Sequence, residues 1–287
     1  MSAPEKRGWL PRILIFLGAI FIVIYSTAPF IWMLIASITP EHVATDDAVW
    51  LSTRKVEFFP SEPSLVNYFT LFDNVPFALY FRNSAIIATG TMCLSLFAAS
   101  LGAYAFSRFR FAGRRPLLVA MLMAYLVPSV VLLVPLLVIF KNFGLINTHL
   151  GMIFAESSIA APFVLLLMIN FFSPLPRELE EAAQVDGCSR LSALFYIVLP
   201  LALPGLVAGG LIAFILSWNN FLFAFLFTST DSVKTLPVLM RLFALGEPAV
   251  WGVSTAGAVV STLPVALLFL AFQRMMISGL AAGAVKG

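Results

Sequence analysis

Charged side chains are scarce in this chain of 287 residues, because Asp, Glu, Lys and Arg together make up only 11% of it. Soluble domains carry about 25% charged residues, so a soluble fold of this composition would lack the groups that cover an aqueous surface. Hydrophobic residues make up 61% of the chain, and 28 residues are Phe. The composition excludes an ordinary soluble domain and indicates a polytopic α-helical membrane protein.

Residues that carry chemistry are equally few, with only two cysteines and two histidines in the chain. Cys93 lies in an apolar run and Cys188 in a polar segment, so their spacing suits neither a disulfide framework nor a metal site. His42 and His149 are isolated and are interpreted as solvated loop residues. No phosphate-binding loop of the Gly-x-x-x-x-Gly-Lys-Ser/Thr type is present. We therefore expect no catalytic residue, cofactor or metal in this chain, and the net charge of +3 is too small to indicate a nucleic-acid partner.

Six apolar segments are each long enough to cross a hydrocarbon core about 30 Å thick, which takes about 20 helical residues. The first is longer than a signal-peptide core and has no small-residue cleavage site after it, so we interpret it as an uncleaved anchor. The sequence predicts an all-α fold with six transmembrane helices, in which a permease domain over 13–274 lies between end segments 1–12 and 275–287. The six segments are 13–38, 84–106, 116–139, 151–172, 201–227 and 251–272.

Small residues and prolines mark further features of these segments. Ser95, Ala99 and Ala103 recur at four-residue spacing in the second segment, which lets helix backbones approach closely in lipid and predicts a helix or subunit interface. Prolines in the later segments predict kinks where neighbouring helices satisfy the freed carbonyls. These prolines are Pro128, Pro135, Pro162, Pro204 and Pro264.

The positions of Lys and Arg set the expected orientation, because cytoplasmic loops carry an excess of both. Most of the 17 basic residues fall on the cytoplasmic side when the N-terminus is placed there, and segment 107–115 alone carries four arginines and no acid. We therefore expect both termini in the cytoplasm. Outward loops are expected at 39–83, with a short interfacial helix at 65–72, and at 141–150 and 228–250. Residues 173–200 form the one long cytoplasmic loop.

Loop 173–200 has the pattern of two short helices. Residues 177–186 predict a helix with acids in its first turns, where the helix dipole favours negative charge. Gly187 fits the left-handed position that ends a helix, and a second helix is expected near 192–198. One side of the first helix is small rather than strongly apolar, which suits a groove in a protein better than lipid. That side consists of Leu179, Ala182, Ala183 and Asp186.

The spacing within this loop resembles the cytoplasmic signature of ABC importer permeases. The matching positions are Glu181, Ala182, Ala183, Gly187, Ile197, Leu199 and Pro200. The resemblance covers nearly the whole chain, because segments 67–68, 82–84, 103–108 and 218–219 also look like recurrent features of carbohydrate-importer permeases. The tail 273–287 is similar to that of the second permease subunit of maltose-type, carbohydrate-uptake systems.

The resemblance implies a type I importer permease fold and inward movement of a sugar or related solute by alternating access. It also implies a bacterial or archaeal inner-membrane location, a homologous second permease, two ATPase subunits that bind ATP and Mg²⁺, and an extracytoplasmic solute-binding protein. The positions it implies for contact with the ATPase are those of the signature together with Asp186. It further implies that the tail reaches toward the ATPase dimer, here through Gly283, Lys286 and Gly287.

Polar residues within the segments are candidates for a substrate pathway, because ionisable groups at membrane depth are costly. Glu156 could hydrogen-bond sugar hydroxyls, lie among lipid headgroups or pair with the partner permease. Trp218, Asn219 and Asn220 combine an aromatic ring with amides, which suits a sugar. The asparagines could equally hydrogen-bond neighbouring helices.

Two other classes of protein fit the sequence less well. Six segments could form half of a secondary transporter, but such a carrier is expected to show inverted repeats and midplane ion sites. The sequence has no visible repeat and only one marginal carboxylate, Glu156. An intramembrane enzyme would need a nucleophile paired with a base or a metal cluster, and both histidines lie outside the segments.

Overall fold

The structure is a computed structural model that describes residues 9–40, 62–245 and 251–284. Within these ranges the chain is built from α-helices, with one π-helical segment, Leu194–Val198, and no strand. The all-α prediction is therefore confirmed. The helices are α1 (Trp9–Ser37), α2 (Val66–Asp73), α3 (Phe77–Arg108), α4 (Arg114–Leu126), α5 (Ser129–Asn142), α6 (His149–Phe172), α7 (Glu178–Val185), α8 (Arg190–Ala193), α9 (Leu199–Leu201), α10 (Leu203–Trp218), α11 (Leu222–Phe227), α12 (Leu236–Leu245) and α13 (Trp251–Ala284).

Four helices in the described ranges are long and apolar enough to cross a membrane as single spans, namely α1, α3, α6 and α13. Two bent helix pairs raise the number to as many as six. The first pair is α4 with α5, which meet at 99°, and the second joins Arg190–Leu201 to α10 at 83°. Six crossings thus remain compatible with the structure, but the third and fifth are not straight helices.

The third predicted segment, 116–139, is interrupted by Pro128. Val127 before it has φ −66° and ψ 124°, an extended conformation, because the proline ring disfavours a helical residue at the preceding position. Pro204 lies near the start of α10, just after a second break at Ala202. The remaining prolines do not interrupt their helices. These are Pro135 in α5, Pro162 in α6 and Pro264 in α13.

The prediction of one continuous helix over the fifth segment, 201–227, is also wrong. The helix α10 ends at Trp218 and α11 begins at Leu222. Asn219 donates its Nδ2–H to the carbonyl of Ile215 at 3.0 Å, and the Asn220 Oδ1 accepts from the backbone N–H of Phe223 at 3.1 Å. The asparagines therefore satisfy backbone groups that the break exposes.

The described chain falls into two compact units. The described residues of one unit lie within Met1–Val75 and Phe243–Ser261, and those of the other lie within Pro76–Leu242 and Thr262–Gly287. In the first unit, the Asn67 amide donates to the carbonyls of Ser37 at 3.0 Å and Thr39 at 2.9 Å. These bonds join α2, the predicted interfacial helix, to the end of α1.

The larger unit is built on α3, α6 and α10. The predicted small-residue stripe is buried, since Ser95, Ala99 and Ala103 are each at most 1% exposed. At Gly102 a Cβ atom would come within 2.5 Å of the Leu165 side chain of α6, so the backbones approach where no side chain intervenes. The stripe therefore forms a helix interface inside the chain.

Candidate functional site

Gly187 ends the first helix of loop 173–200 as the sequence predicts. Its φ is +93°, in the left-handed region that a side chain disfavours. The N–H of Gly187 bonds to the carbonyl of Gln184 at 3.1 Å, and the N–H of Cys188 bonds to that of Ala183 at 2.9 Å. The turn at Gly187 therefore provides hydrogen-bond donors to the last carbonyls of α7 and ends this helix.

The second helix begins slightly earlier than predicted, at Arg190. Ser189 caps it, because its hydroxyl accepts from the backbone N–H of Ser192 at 3.1 Å. The π-helical segment that follows contains Ile197, and α9 opens with Leu199 and Pro200. Proline cannot donate the backbone bond that would continue a regular helix. The signature positions after Gly187 thus lie on one interrupted helix that leads into α10.

One side of α7 is uncovered by the described chain. Val185 is 87% exposed and Leu179 45% exposed, and Glu181, Ala182 and Asp186 are exposed as well. Such apolar exposure on a helix with three acids in its first turn leaves a mixed surface of the kind that protein partners cover. The predicted ATPase-contact residues of α7 are thus on an accessible side.

The opposite side of α7 is bonded to α3 through Glu180, which is only 4% exposed. Its carboxylate accepts from the Arg108 Nε at 2.6 Å and from the Tyr104 hydroxyl at 2.9 Å. The sequence interpretation grouped Glu180 with the other acids of the first turn and missed this role. Tyr104 and Arg108 are four residues apart and therefore lie on one face of α3. This spacing is the feature of the sequence that could have predicted a shared bonding partner.

Three further contacts hold the loop to the same end of α3. The Arg108 Nη2 donates to the carbonyl of Leu175 at 3.2 Å, and the Arg177 Nη2 donates to that of Ser107 at 3.1 Å. The Arg190 guanidinium lies 5.2 Å from the centre of the Phe109 ring. Segments before, within and after α7 are therefore fixed to the Arg108 end of α3.

A cavity of about 330 Å³ collects most of the predicted pathway residues. Its wall includes Glu156 of α6, Ser217 of α10, and both Asn219 and Asn220 at the break before α11. Glu156 is 3% exposed, and its Oε2 accepts a hydrogen bond from the Ser217 hydroxyl. The Glu156 carboxyl is therefore enclosed by residues of this chain.

Trp218 does not line this cavity. Its ring stacks on Phe214 with 5.4 Å between ring centres and meets Phe81 edge-on at 5.5 Å. The side chain is 4% exposed. The structure thus places the ring in the core between α3 and α10, so the expected sugar-stacking surface is occupied by protein.

The segment after α11 is fixed to the Phe77 end of α3. The Asn83 amide donates to the carbonyls of Asp231 at 3.2 Å and Lys234 at 2.9 Å, and the Tyr80 hydroxyl donates to the Asp231 carboxylate at 2.6 Å. The hydrogen bond from Tyr80, with help from nearby Lys234, lowers the pKa of Asp231. His149, expected in solvent, is half-buried with its Nε2 3.1 Å from the Asn83 Oδ1.

Asn147 holds the same segment from the other side. It has a positive φ of 61°, which asparagine tolerates better than most residues. Its Oδ1 accepts from the backbone N–H groups of Ser229 at 2.9 Å and Thr230 at 3.1 Å. Residues 228–236 thus have a fixed conformation at this end of the unit.

The remaining predictions fall partly beyond the described ranges. Gly283 lies in the last turn of α13, whereas Lys286, Gly287 and His42 lie outside the described residues. In the part of the chain that is described, no group of three His, Cys, Asp or Glu residues could hold a metal ion.

The structure thus shows a unit of long apolar helices with an exposed two-helix loop, and comparison with known proteins gives the family. A family model for binding-protein-dependent transport system inner membrane components matches residues 92–281. The sulfoquinovosyl glycerol transport system permease protein SmoH of Agrobacterium fabrum is 36% identical over 95% of this chain and 93% of its own length. The trehalose/maltose transport system permease protein MalG of Thermococcus litoralis is 36% identical over 97% of this chain and 98% of its own length.

Solved structures agree on the fold. A chain of a bacterial ABC transporter involved in the import of the acidic polysaccharide alginate superposes with a TM-score of 0.78 at 22% identity, over 95% of this chain and 99% of that one. A chain of a bacterial alginate ABC transporter, in complex with a periplasmic protein that holds an alginate pentasaccharide, gives a TM-score of 0.67 at 16% identity, with 94% of each chain covered.

The chain belongs to the family of binding-protein-dependent transport system inner membrane components. It is a multi-pass membrane protein and a permease subunit of an ABC importer, with ATP hydrolysis on a separate subunit, rather than an enzyme. The half-size secondary transporter is not favoured.

Proposed function

We propose that this chain is one of two permease subunits of a carbohydrate importer, and that a pair of ATPase subunits drives it through loop 173–200. The observation that carries the proposal is the two-sided placement of α7. Its Glu180 side is bonded to α3, while Val185 and Leu179 on other sides are exposed. A rigid helix held on one side and open on another is suited to receive force from a second protein.

The contact with the ATPase is assigned to Glu181, Ala182, Ala183, Asp186 and Gly187, with Ile197, Leu199 and Pro200 shaping the second helix. The tail residues Gly283, Lys286 and Gly287 add a second contact with the ATPase dimer. ATP and Mg²⁺ are held by the ATPase subunits. The domain limits are proposed as the sequence predicts them, with a permease domain over 13–274 that contains loop 173–200 and with end segments 1–12 and 275–287.

The solute is proposed to be a sugar or a related polyol. The relatives are transport permeases for sulfoquinovosyl glycerol and for trehalose and maltose, and the cavity wall of this chain offers a carboxyl, a hydroxyl and two amides from Glu156, Ser217, Asn219 and Asn220. Such groups hydrogen-bond hydroxyl-rich solutes. The partner permease supplies the rest of the pathway.

The orientation is proposed with both termini and loop 173–200 in the cytoplasm of a bacterium or archaeon. Residues 228–236 then face outward, where a solute-binding protein delivers the sugar. The firm attachment of this segment to Tyr80, Asn83 and Asn147 supports a docking role, because a fixed surface loses little conformational entropy on binding.

The test is uptake by a reconstituted transporter. The chain would be co-expressed with the second permease and the ATPase, placed in vesicles, and supplied with the binding protein loaded with labelled sugar. Uptake that needs both ATP inside and binding protein outside is the expected result. Uptake driven by a proton or sodium gradient without ATP would overturn the proposal.

A further inference from the structure

We infer that Tyr104 and Arg108 are positioning residues that hold loop 173–200 through Glu180 and pass its displacement to the membrane helices by way of α3. The inference rests on the proposed function, in which this loop meets the ATPase. It adds a path along which force passes from the loop to the membrane helices. The signature residues of the loop do not provide such a path.

The bonds at Glu180 are of the kind that resist displacement. Both carboxylate oxygens are used, one by Arg108 and one by Tyr104. The side chains of Arg108 and Glu180 are only 7% and 6% exposed. Removing one partner of a buried ion pair leaves the other charge without compensation, so this contact opens far less readily than a surface pair.

The attachment covers the whole length of the first helix of the loop. Arg108 reaches the carbonyl of Leu175 before α7, Glu180 lies within α7, and the Tyr104 hydroxyl is 3.4 Å from the carbonyl of Arg190 after it. A push on the exposed side of α7 therefore moves α7 and the Arg108 end of α3 as one body. Separate movement would break several charge-assisted bonds at once.

The other end of this route is the cavity. The helix α3 packs on α6 with the Gly102 backbone against Leu165, and on α10 through Gly210, where a Cβ would lie 3.0 Å from the Leu96 side chain. Glu156 belongs to α6 and Ser217 to α10. Because closely packed helices shift as rigid bodies rather than deform, movement of α3 is expected to reach both sides of the cavity.

The chain could also transmit force along its backbone, through the bend at Ala202 between α9 and α10. The two routes make different predictions. The backbone route does not depend on Tyr104, Arg108 or Glu180, whereas the α3 route fails when their contact is weakened.

The experiment uses the assembled transporter and three variants of the contact. Glu180→Gln removes the charge with little change of shape, Arg108→Lys keeps the charge but loses the planar donor pair, and Tyr104→Phe removes one hydroxyl. Glu178→Gln is the matched control on the exposed side of α7. Arg110→Lys is the matched control for arginine, since Arg110 is exposed.

Three quantities are measured on each preparation: the ATPase co-purified, the ATP hydrolysed and the sugar taken up. We expect co-purification to stay at the wild-type level in Tyr104→Phe and Arg108→Lys. Sugar uptake per ATP hydrolysed is expected to fall about fivefold or more in Glu180→Gln, within the usual range for coupling between sites. The Arg108→Lys, Glu180→Gln double variant should be no worse than the worse single variant, because both break one contact.

A fall in uptake that only matches a loss of co-purified ATPase would overturn the inference, because it would show a structural role. Unchanged uptake per ATP in all three variants would also overturn it and would favour the backbone route. If Glu180→Gln does not assemble, Tyr104→Phe decides, since it leaves the ion pair intact. Absence of ATP-dependent uptake in the wild-type transporter is a separate result and would reject the proposed function itself.

Discussion

At the scale of single residues, the turn at Gly187 shows how one backbone angle sets the geometry of a partner-binding surface. Apart from Gly187 itself and its two chain neighbours, no residue has an atom within 4 Å of the position that a Cβ would occupy there. A side chain would therefore be resisted by the backbone conformation alone, at roughly 1–2 kcal/mol for a left-handed residue. The chain relieves such strain by moving the segments on both sides of the turn.

We expect Gly187→Val to reduce co-purification of the ATPase severalfold while the permease still inserts in the membrane. Gly144→Val is the matched control, because Gly144 has a φ of +67° and equally open surroundings but lies between α5 and α6, away from the loop. Equal loss of ATPase in both variants would mean that general destabilisation, rather than the geometry of α7, is responsible.

Charge at the exposed side of α7 gives a second prediction at this scale. Glu181→Lys is expected to abolish ATPase co-purification and uptake, because it reverses the charge at an exposed residue assigned to the ATPase contact. Glu178→Lys changes the same charge one turn away and should have a smaller effect. Wild-type co-purification in Glu181→Lys would contradict the assignment of this contact.

At the scale of helices and loops, the sequence predicts what depends on neighbours along the chain. Long apolar runs predict α1, α3, α6 and α13, and Gly187 predicts the end of α7, because helix periodicity and caps are local properties. The breaks at Pro128 and Asn219 interrupt runs that remain apolar, so hydropathy alone does not reveal them.

The candidate site is less predictable than the helices because its contacts are distant along the chain. Arg108 and Glu180 are 72 residues apart, and nothing near Glu180 separates it from its exposed neighbour Glu181. Trp218 fails as a pathway residue for the same reason, since Phe81, which covers it, comes from another helix. Helix packing decides which polar residues face inward.

Segment 228–236 supplies a prediction on pH. The pKa of Asp231 is lowered from 3.8, chiefly by the hydrogen bond from Tyr80, so the ionised form stabilises the attachment of this segment. That contribution is present at neutral pH and is lost as the pH falls through the lowered value. The protection factors of the backbone amides in residues 228–236, which correct for the intrinsic slowing of hydrogen exchange in acid, should therefore fall on acidification below 3.8.

Asp231→Asn provides the control for this effect. The variant lacks the titrating group, so the protection factors of its segment should be lower already at neutral pH and should change less on acidification. Identical acid responses in the wild type and the variant would assign the pH dependence to another group.

At the scale of the whole molecule, we propose that the partner permease provides the wall that faces this cavity in the assembled transporter. Glu156→Gln keeps an acceptor for Ser217 but replaces the carboxyl group of the cavity wall with an amide. We expect sugar uptake to fall about fivefold, as for loss of one ordinary hydrogen bond to the solute. Basal ATP hydrolysis should stay unchanged, because the loop is untouched.

Ser158→Ala is the matched control for the cavity, because the hydroxyl of this α6 residue donates to the carbonyl of Ala155 in the same helix at 2.6 Å and Ser158 is not in the cavity wall. Equal uptake by Glu156→Gln and the wild type would place the sugar pathway on the partner permease instead.

The contact between Arg108 and Glu180 also has a consequence for biosynthesis. The ribosome makes Tyr104 and Arg108 long before Glu180. The helix α3 therefore enters the membrane before the carboxylate that pairs with Arg108 has been synthesised. The loop can settle only after α6 has been made and has packed beside α3. The helix α7 reaches its final position only when α3 and α6 are already packed. An ATPase that recognises α7 in this position would therefore bind fully folded permeases in preference to partly folded ones.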